Sequence, residues 1–400
     1  MRKKVLFVDN STWNIYNFRL NLIKRLKSEG YEVVVVAPVD EYIHYLNESY
    51  FTKHIPLKFL APQSKNIFRD LLLIIELYRI FRQEKPDLIL NYTIKPNIFG
   101  NFAARLAKVA SFSTITGLGY TFLNNSLINR QVLHLYKLAF KKVRKVVFYN
   151  QDDRSLMIKK KLLNPEKGEV ISGSGVNTNH FRPLPMPTSD KFIFLFIGRL
   201  LYDKGLREYV EAAKYLRQIS PNMECWIIGE LNHNPAAVPK ATLLKWIEDK
   251  HIKYFGTAKD VRKYIKQAHA VVLPSYREGI PRSVLEAMAM AKPIVTTEVA
   301  GCRETVDNKQ NGYLVPVKAP QALAEAMLQL YYKSQEELLV MGTHSRQRAL
   351  DLFDDKIITT NYLELITKEF KTEPKAPHPN SSERQPEKVA KIENSTHSSW

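Results

Sequence analysis

Apolar runs of three to six residues alternate with helical stretches along this chain, and the alternation begins afresh near residue 190. Val5 to Val8, Val33 to Ala37 and Leu88 to Leu90 read as strands, the second of them rich in β-branched residues. Phe18 to Gly30, Leu71 to Gln83 and Asn97 to Ala107 read as helices, with Gly30 closing the first. The later series is Phe192 to Ile197, Cys225 to Ile228, Val271 to Leu273 and Ile294 to Thr296, with a helix from about Leu206. Strands separated by helices pair in parallel, because each crossover returns the chain to the same sheet edge. The expected fold is α/β, with two doubly wound, Rossmann-like parallel-sheet domains.

A chain of 400 residues also exceeds what one core supports. The expected division is a first domain over 1–180, a linker over 181–189 and a second domain over 190–354. A helix follows over 355–371, then a disordered tail over 372–400. The linker reading rests on Phe181-Arg182-Pro183-Leu184-Pro185-Met186-Pro187, since closely spaced prolines stiffen and extend a connection. The tail holds Pro, Ser, Lys and Glu with almost no apolar content.

The formal charge is +19, of which residues 1–180 carry +14 and the remainder +5. So basic a first half implies an anionic partner: phospholipid, nucleic acid or a phosphorylated acceptor. Two cysteines, Cys225 and Cys302, form neither a disulfide framework nor a metal set, so a reducing compartment is expected. Val33 to Ala37 and Leu71 to Ile75 are among the longest apolar runs, far short of the ~20 residues that cross a bilayer. Met1-Arg2-Lys3-Lys4 is basic, but Asp9 and Asn10 soon interrupt the apolar stretch after it, so no signal peptide is expected.

Two segments carry chemistry. In Phe196-Ile197-Gly198-Arg199-Leu200-Leu201-Tyr202-Asp203-Lys204-Gly205, a strand ends, a glycine turns the backbone, and two cations precede a helix. Such an edge suits phosphate: helix N–H groups and an arginine fork meet its oxygens, and lysine adds a point charge. In Glu278-Gly-Ile-Pro-Arg-Ser-Val-Leu-Glu286, seven residues separate two carboxylates. An apolar strand precedes, a Gly/Pro turn follows, and then a helix starts. With the first glutamate on the loop and the second on the helix, both can reach one cleft.

Together these segments resemble the retaining glycosyltransferases of family 4, which have the GT-B fold of two Rossmann-like domains facing a cleft. Ser174-Gly175-Val176-Asn177 with Phe181 and Pro183 is similar to the family's hinge, with Asn177 where the family has Asp. Gly301-Cys302-Arg303-Glu304 and Asn311-Gly312-Tyr313-Leu314-Val315-Pro316 match its later turn and strand. The resemblance implies that Arg199 and Lys204 hold the diphosphate of a nucleotide-sugar donor. It implies Glu278 on the sugar, Glu286 on the ribose, and Gly198, Gly279, Ile280, Pro281, Arg282 and Ser283 lining the donor site. Arg199, Lys204 and Glu278 are the implied catalytic residues. Many relatives have Phe-Gly where this chain has Ile280-Pro281-Arg282, and some have a histidine near Ile94. The last helix is expected to cross back onto the first domain. Neither cofactor nor metal is implied.

The first domain most resembles the branch that builds bacterial surface glycans on a polyprenyl-diphosphate carrier. The N-acetylgalactosaminyltransferases acting on undecaprenyl-linked bacillosamine are one example. Asn14, Arg19, Lys95, Thr116 and Gly117 lie at or beyond strand ends and are candidates for the acceptor. Leu135 to Lys145, read as one basic amphipathic helix, would set Lys137, Lys141, Lys142, Arg144 and Lys145 against an anionic membrane. The implied activity moves a hexose or N-acetylhexosamine, UDP-linked, onto a lipid-linked saccharide at the inner face of the cytoplasmic membrane. Two other classes fit parts of the chain: a GT-B sugar-nucleotide epimerase, and a basic nucleic-acid-binding protein. The double-glutamate signature disfavours the first. The second lacks zinc spacing or a recognition module.

Overall fold

In the computed structural model the apolar runs form thirteen parallel strands in two sheets among the described residues. The structure describes residues 2–372 apart from 47, 62, 63, 65, 120–126, 186–189 and 232–235. The tail from residue 373 on, the second half of the Pro-rich linker and Tyr120 therefore lie outside the described residues, while Thr372, expected in the tail, ends the last helix. Residues 1–363 pack as one unit, and residues 364–372 complete the last helix.

The first sheet has the order β3-β2-β1-β4-β5-β6-β7. Its strands are β1 Lys4–Val8, β2 Glu32–Ala37, β3 Lys53–Pro56, β4 Leu88–Tyr92, β5 Ala110–Ile115, β6 Lys145–Phe148 and β7 Gly168–Val170. Its helices are α1 Thr12–Asn14, α2 Leu20–Ser28, α3 Ile67–Glu84, α4 Asn101–Ala107, α5 Leu127–Ala139 and α6 Gln151–Lys159. Val33 to Val36 are fully buried on successive positions, as a strand covered on both faces requires. The second sheet has the order β10-β9-β8-β11-β12-β13, from β8 Phe192–Ile197, β9 Met223–Ile228, β10 Lys253–Tyr254, β11 Ala270–Leu273, β12 Ile294–Thr297 and β13 Gly312–Val315. Around it lie α7 Leu206–Ile219, α8 Lys240–Glu248, α9 Arg262–Gln267, α10 Arg282–Ala289, α11 Pro320–Tyr331 and α12 Gln335–Leu352, followed by α13 Asp355–Thr372.

In each sheet the winding direction reverses between two central strands, β1 and β4 in the first, β8 and β11 in the second. Ligands of open α/β sheets bind at that reversal, beyond the carboxyl ends of the strands. The Gly198–Gly205 segment follows β8 and the Glu278 loop follows β11, so the topology sets both motifs beside the crevice.

Three sequence expectations need correction. The first helix begins at Thr12, capped by the Ser11 side chain, and runs through a π turn at Ile15–Arg19 before α2. A second π turn, Pro96–Gly100, follows β4. The two π turns thus flank the crevice of the first sheet, where such irregularities commonly serve function. The basic stretch 135–145 is not one helix: α5 ends at Ala139, the chain turns, and Lys145 opens β6.

The two sheets are joined by paired connections. Val176 N–H donates to Phe353 O at 2.9 Å, and Asp355 N–H donates to Val176 O at 3.0 Å. Gly175 sits at φ 76°, and a Cβ there would lie 2.7 Å from Asp355 Cα, so only glycine fits this crossing. Asn21 Nδ2 donates to Asp355 Oδ2 at 2.5 Å, and Tyr362 OH lies 3.4 Å from Thr114 Oγ1. The first turns of α13 thereby rest on the first sheet's loops and strands.

Burial, with Asp354 adjacent, pushes the Asp355 carboxyl from an ordinary 3.8 up to about 6. A raised value means the fold favours the protonated form. The stability from this group is present at low pH and lost as pH rises through about 6. Asp355→Asn, which keeps an acceptor for Asn21, is expected to raise the melting temperature near pH ~8 and leave it unchanged near pH ~3. Scanning calorimetry at both values checks this.

Candidate active site

The edge after β8 is shaped by close backbone approach. Gly205 has φ 75°, and a Cβ on it would meet Pro274 O at 2.0 Å. A Cβ on Gly229 would meet Gly198 O at 1.8 Å. These contacts stitch the two motif loops together: Tyr276 N–H donates to Asp203 O at 2.8 Å, and Tyr276 OH donates to Glu208 Oε1 at 2.7 Å. Lys204 is thereby brought to Glu278, and the two form an ion pair between largely buried side chains. Arg199 is exposed, and its side chain has no hydrogen-bond or ion-pair partner among the described residues.

The second glutamate stands on α10. Pro281 caps this helix, and its carbonyl accepts from the Val284 and Leu285 N–H groups at 3.1 and 3.2 Å. The Arg282 and Ser283 N–H groups, two positions earlier in the same first turn, have no intrahelical acceptor and point outward from the helix start. Arg282 Nε donates to Glu286 Oε1 at 3.1 Å, while Nη1 donates to Asn17 O of the first domain. The guanidinium also lies 5.4 Å from the Phe18 ring centroid. Burial pushes the Glu286 carboxyl above its ordinary value, against the pull of Arg282.

The glutamate loop is wedged against the first domain. A Cβ on Gly279 would meet Thr116 O at 1.8 Å, and one on Gly117 would meet Gly279 N at 2.8 Å. Asn150 Nδ2 donates to Gly279 O at 2.8 Å. Arg277 pairs with Asp153, whose side chain is fully buried and whose other oxygen accepts from Leu118 N–H at 3.1 Å. Gly173, between β7 and the hinge, packs on Ile280.

A cleft of about 570 Å³ opens beside this junction. Glu286 and Arg282 line it from the second domain, and Trp13, Asn17, Arg19 and Tyr92 from the first. Glu278 and Lys204 lie outside its lining. His180, Asn177 and the 258–262 loop also line the cleft. Burial, with Arg262 close by, holds His180 below its ordinary value. Sequence reasoning missed His180 and 258–262; the position of 258–262 just after the short strand β10 was the available signal.

The first-domain candidates are already engaged within the protein. Arg19 is buried, with Nε 3.3 Å from Asp9 Oδ2, Nη1 donating to Tyr149 OH at 2.6 Å, and its guanidinium 3.9 Å from the Tyr92 ring centroid. Lys95 Nζ pairs with Asp70 Oδ1 at 2.5 Å. Asn14 Nδ2 donates to Asp9 Oδ1 at 3.0 Å. Between them, Thr93 holds φ 69°, a conformation that β-branched residues rarely adopt, with its hydroxyl buried and unpartnered among the described residues. Lys137, Lys141, Lys142 and Arg144 are exposed, and Lys145 Nζ pairs with Glu169 Oε1 at 2.6 Å. The segment 141–144 precedes β6, so it lies at the amino edge of the sheet, opposite the cleft. Among the described residues no group of three or more His, Cys, Asp or Glu is placed to hold a metal ion.

Two family models match, one on each sheet: "Glycosyl transferase 4-like" over residues 4–150 and "Glycosyl transferases group 1" over residues 191–333. The chain is 29% identical to the N,N'-diacetylbacillosaminyl-diphospho-undecaprenol alpha-1,3-N-acetylgalactosaminyltransferase of Campylobacter jejuni, across 92% of this chain and 99% of that one. It is 25% identical to the Escherichia coli UDP-Gal:alpha-D-GlcNAc-diphosphoundecaprenol alpha-1,3-galactosyltransferase, across 78% and 82%. The solved structure of Anabaena Alr3699/HepE in complex with UDP superposes with a TM-score of 0.73 at 20% identity, across 91% of this chain and all of that one. This last likeness shows the fold, GT-B.

The Asp153–Arg277 pair gives a direct test of the junction. Arg277→Met leaves a buried carboxylate unpaired and is expected to destabilise by about 3–5 kcal/mol in urea unfolding. Asp153→Asn/Arg277→Met should recover more than half of that loss, because the orphaned charge is gone.

Proposed function

The chain belongs to the glycosyltransferases of the GT-B fold, with a 4-like first domain and a group 1 second domain, and on that premise we propose its substrates and mechanism. The donor is a UDP-linked hexose or N-acetylhexosamine. The acceptor is a saccharide on a polyprenyl diphosphate, and the product feeds a bacterial surface polysaccharide or glycan. The observation that carries this reading is the meeting of Lys204 with Glu278 at the second-sheet crevice, with Glu286 one helix start away. The activities of the Campylobacter and Escherichia relatives support the acceptor class, and the Escherichia relative supports a UDP donor.

Arg199 and Lys204 meet the donor diphosphate, Lys204 exchanging part of its contact with Glu278 for phosphate oxygen. Glu278 accepts from sugar hydroxyls and Glu286 from the ribose hydroxyls, since each carboxylate can take two protons in hydrogen bonds. The α10 N–H groups of Arg282 and Ser283 face the diphosphate. As the bond from the anomeric carbon to the diphosphate oxygen breaks, negative charge grows on the diphosphate, and these preorganised donors stabilise it. The acceptor hydroxyl oxygen bonds to the anomeric carbon on the face that the diphosphate leaves. Its proton passes to a diphosphate oxygen, so configuration is retained. Neither a metal nor a cofactor takes part. No described helix is long and apolar enough to cross a membrane, and the enzyme works at the inner face of the cytoplasmic membrane as a peripheral protein.

The test incubates the full chain with bacterial lipid extract and a panel of UDP-, GDP- and dTDP-sugars in EDTA, reading sugar in the organic phase. One UDP-sugar should label the lipid, and proton coupling at the new anomeric carbon should report retention. Isomerisation of the donor without lipid product would favour the epimerase reading, whereas nucleotide release without lipid product would leave a glycosyltransferase with a soluble or missing acceptor. Arg199→Ala and Lys204→Ala should each cut turnover by about 10²–10³-fold with unchanged circular dichroism. Near-normal turnover in both would sink the mechanism.

A further inference from the structure

Large apolar side chains left exposed by the first domain gather at one edge of its sheet. On α3 these are Ile67, Phe68, Leu71, Leu72 and Ile75, with Phe68 79% and Ile67 73% exposed. Beyond the carboxyl ends of β1, β2 and β4 are Trp13, Val39, Tyr45 and Ile94, all exposed. Among the described residues of this domain, the exceptions are Leu106 and Val170, with Tyr16 belonging to the same rim. Because α3 follows β3, its first turns lie at the edge where the cleft opens. The Lys95–Asp70 pair, at 2.5 Å, ties those turns to the loop after β4.

The spacing on α3 makes one stripe. Positions 67, 68, 71, 72 and 75 fall within about 140° of the helix circumference, opposite the buried Leu73, Leu77, Ile80 and Phe81. Arg79 and Arg82 continue the same stripe, both exposed, and neither is in an ion pair. The carboxylates of α3 are turned inward. Asp70 holds Lys95, Glu76 accepts from the Lys58 and Phe59 N–H groups at 2.9 and 3.2 Å, and Glu84 pairs with Lys53 at 2.5 Å. The outward face is therefore apolar at the cleft end and cationic beyond it. Beyond the carboxyl ends of β1 and β2, at the same sheet edge as the start of α3, stands an aromatic group in which Tyr16, Tyr42 and Tyr45 have ring centroids 5.5–5.8 Å apart. Trp and Tyr rings favour the headgroup level of a bilayer.

We propose that this rim, centred on the exposed face of α3, docks the protein on an anionic phospholipid surface and lays the cleft mouth against it. An apolar stripe continued by arginines is the pattern of an interfacial helix. A second copy of the chain fits less well, since it would bring two domains of +14 charge face to face. The surface expected from residues 137–145 lies at the other edge of the same parallel sheet, so one flat bilayer cannot take both. This inference deepens the lipid-linked acceptor reading and gives it an orientation.

The test is co-sedimentation of the full chain with phosphatidylglycerol-rich vesicles and with pure phosphatidylcholine vesicles. Phe68→Ser/Leu71→Ser is expected to weaken binding to the anionic vesicles at least about tenfold, with the melting temperature unchanged. Arg79→Ser/Arg82→Ser should weaken it and reduce its salt dependence. Lys141→Ser/Lys142→Ser should bind as the wild type does. Transfer to a water-soluble short-prenyl acceptor should survive Phe68→Ser/Leu71→Ser, while transfer to the full-length acceptor in vesicles falls about tenfold. Equal vesicle binding by Phe68→Ser/Leu71→Ser and wild type overturns the proposal. So does loss of binding in Lys141→Ser/Lys142→Ser alone, or a wild-type dimer that Phe68→Ser/Leu71→Ser splits without any effect on vesicles. Wild-type protein that binds vesicles but transfers to neither acceptor refutes the acceptor reading and leaves the docking surface standing.

Discussion

Two glycines from different domains, Gly117 and Gly279, touch backbone to backbone, and the candidate site depends on that contact. Any side chain at either place would push the glutamate loop off the first domain. The buried Asp153–Arg277 pair lies beside it, with Asn150 bonded to the Gly279 carbonyl. A buried ion pair adds little net stability, because desolvation offsets attraction, but it strongly penalises any arrangement that separates the partners. The junction therefore serves registry. It holds Glu278 and α10 in one position relative to the loops after β1 and β5.

From that junction the charges divide by domain. The second domain contributes few cations, each placed: Lys204 against Glu278, Arg282 against Glu286 and the Asn17 carbonyl, Arg199 open to solvent. The first domain carries most of the net charge, yet Arg19, which lines the cleft, and Lys95, just after β4, are paired internally with Asp9 and Asp70. Those pairs shape loops beside the strained Thr93. The first-domain side of the cleft thus presents cations that are already engaged, and of these three second-domain cations only Arg199 stands open to solvent.

Much of this was legible in the sequence because it is local. Strand runs, the turn at Gly279–Pro281, and the placing of Glu278 on a loop and Glu286 on a helix all follow from neighbouring residues. What failed depends on partners far along the chain. Asp9 and Asp70 are invisible to any reading of Arg19 or Lys95 alone. The segment 135–145 has helical spacing, but the chain must turn after Ala139 for Lys145 to begin β6 beside β5. Leu71 to Ile75 read as a helix with apolar character, yet α3 has two apolar stripes, and periodicity cannot say which one meets the core. The Ser11 cap and the π turn after it moved the start of the first helix to Thr12, since a π turn has no sequence signature of its own.

The central claim is that the glutamate loop and α10, seated on the first domain, form the nucleotide half of a transferase site. Calorimetric titration of UDP into the full chain tests it most directly. The account predicts one saturable site, weakened at least about tenfold in Glu286→Ala through loss of charged hydrogen bonds to the ribose. Binding of UDP with equal affinity to wild type and Glu286→Ala, or no binding to either, would contradict it.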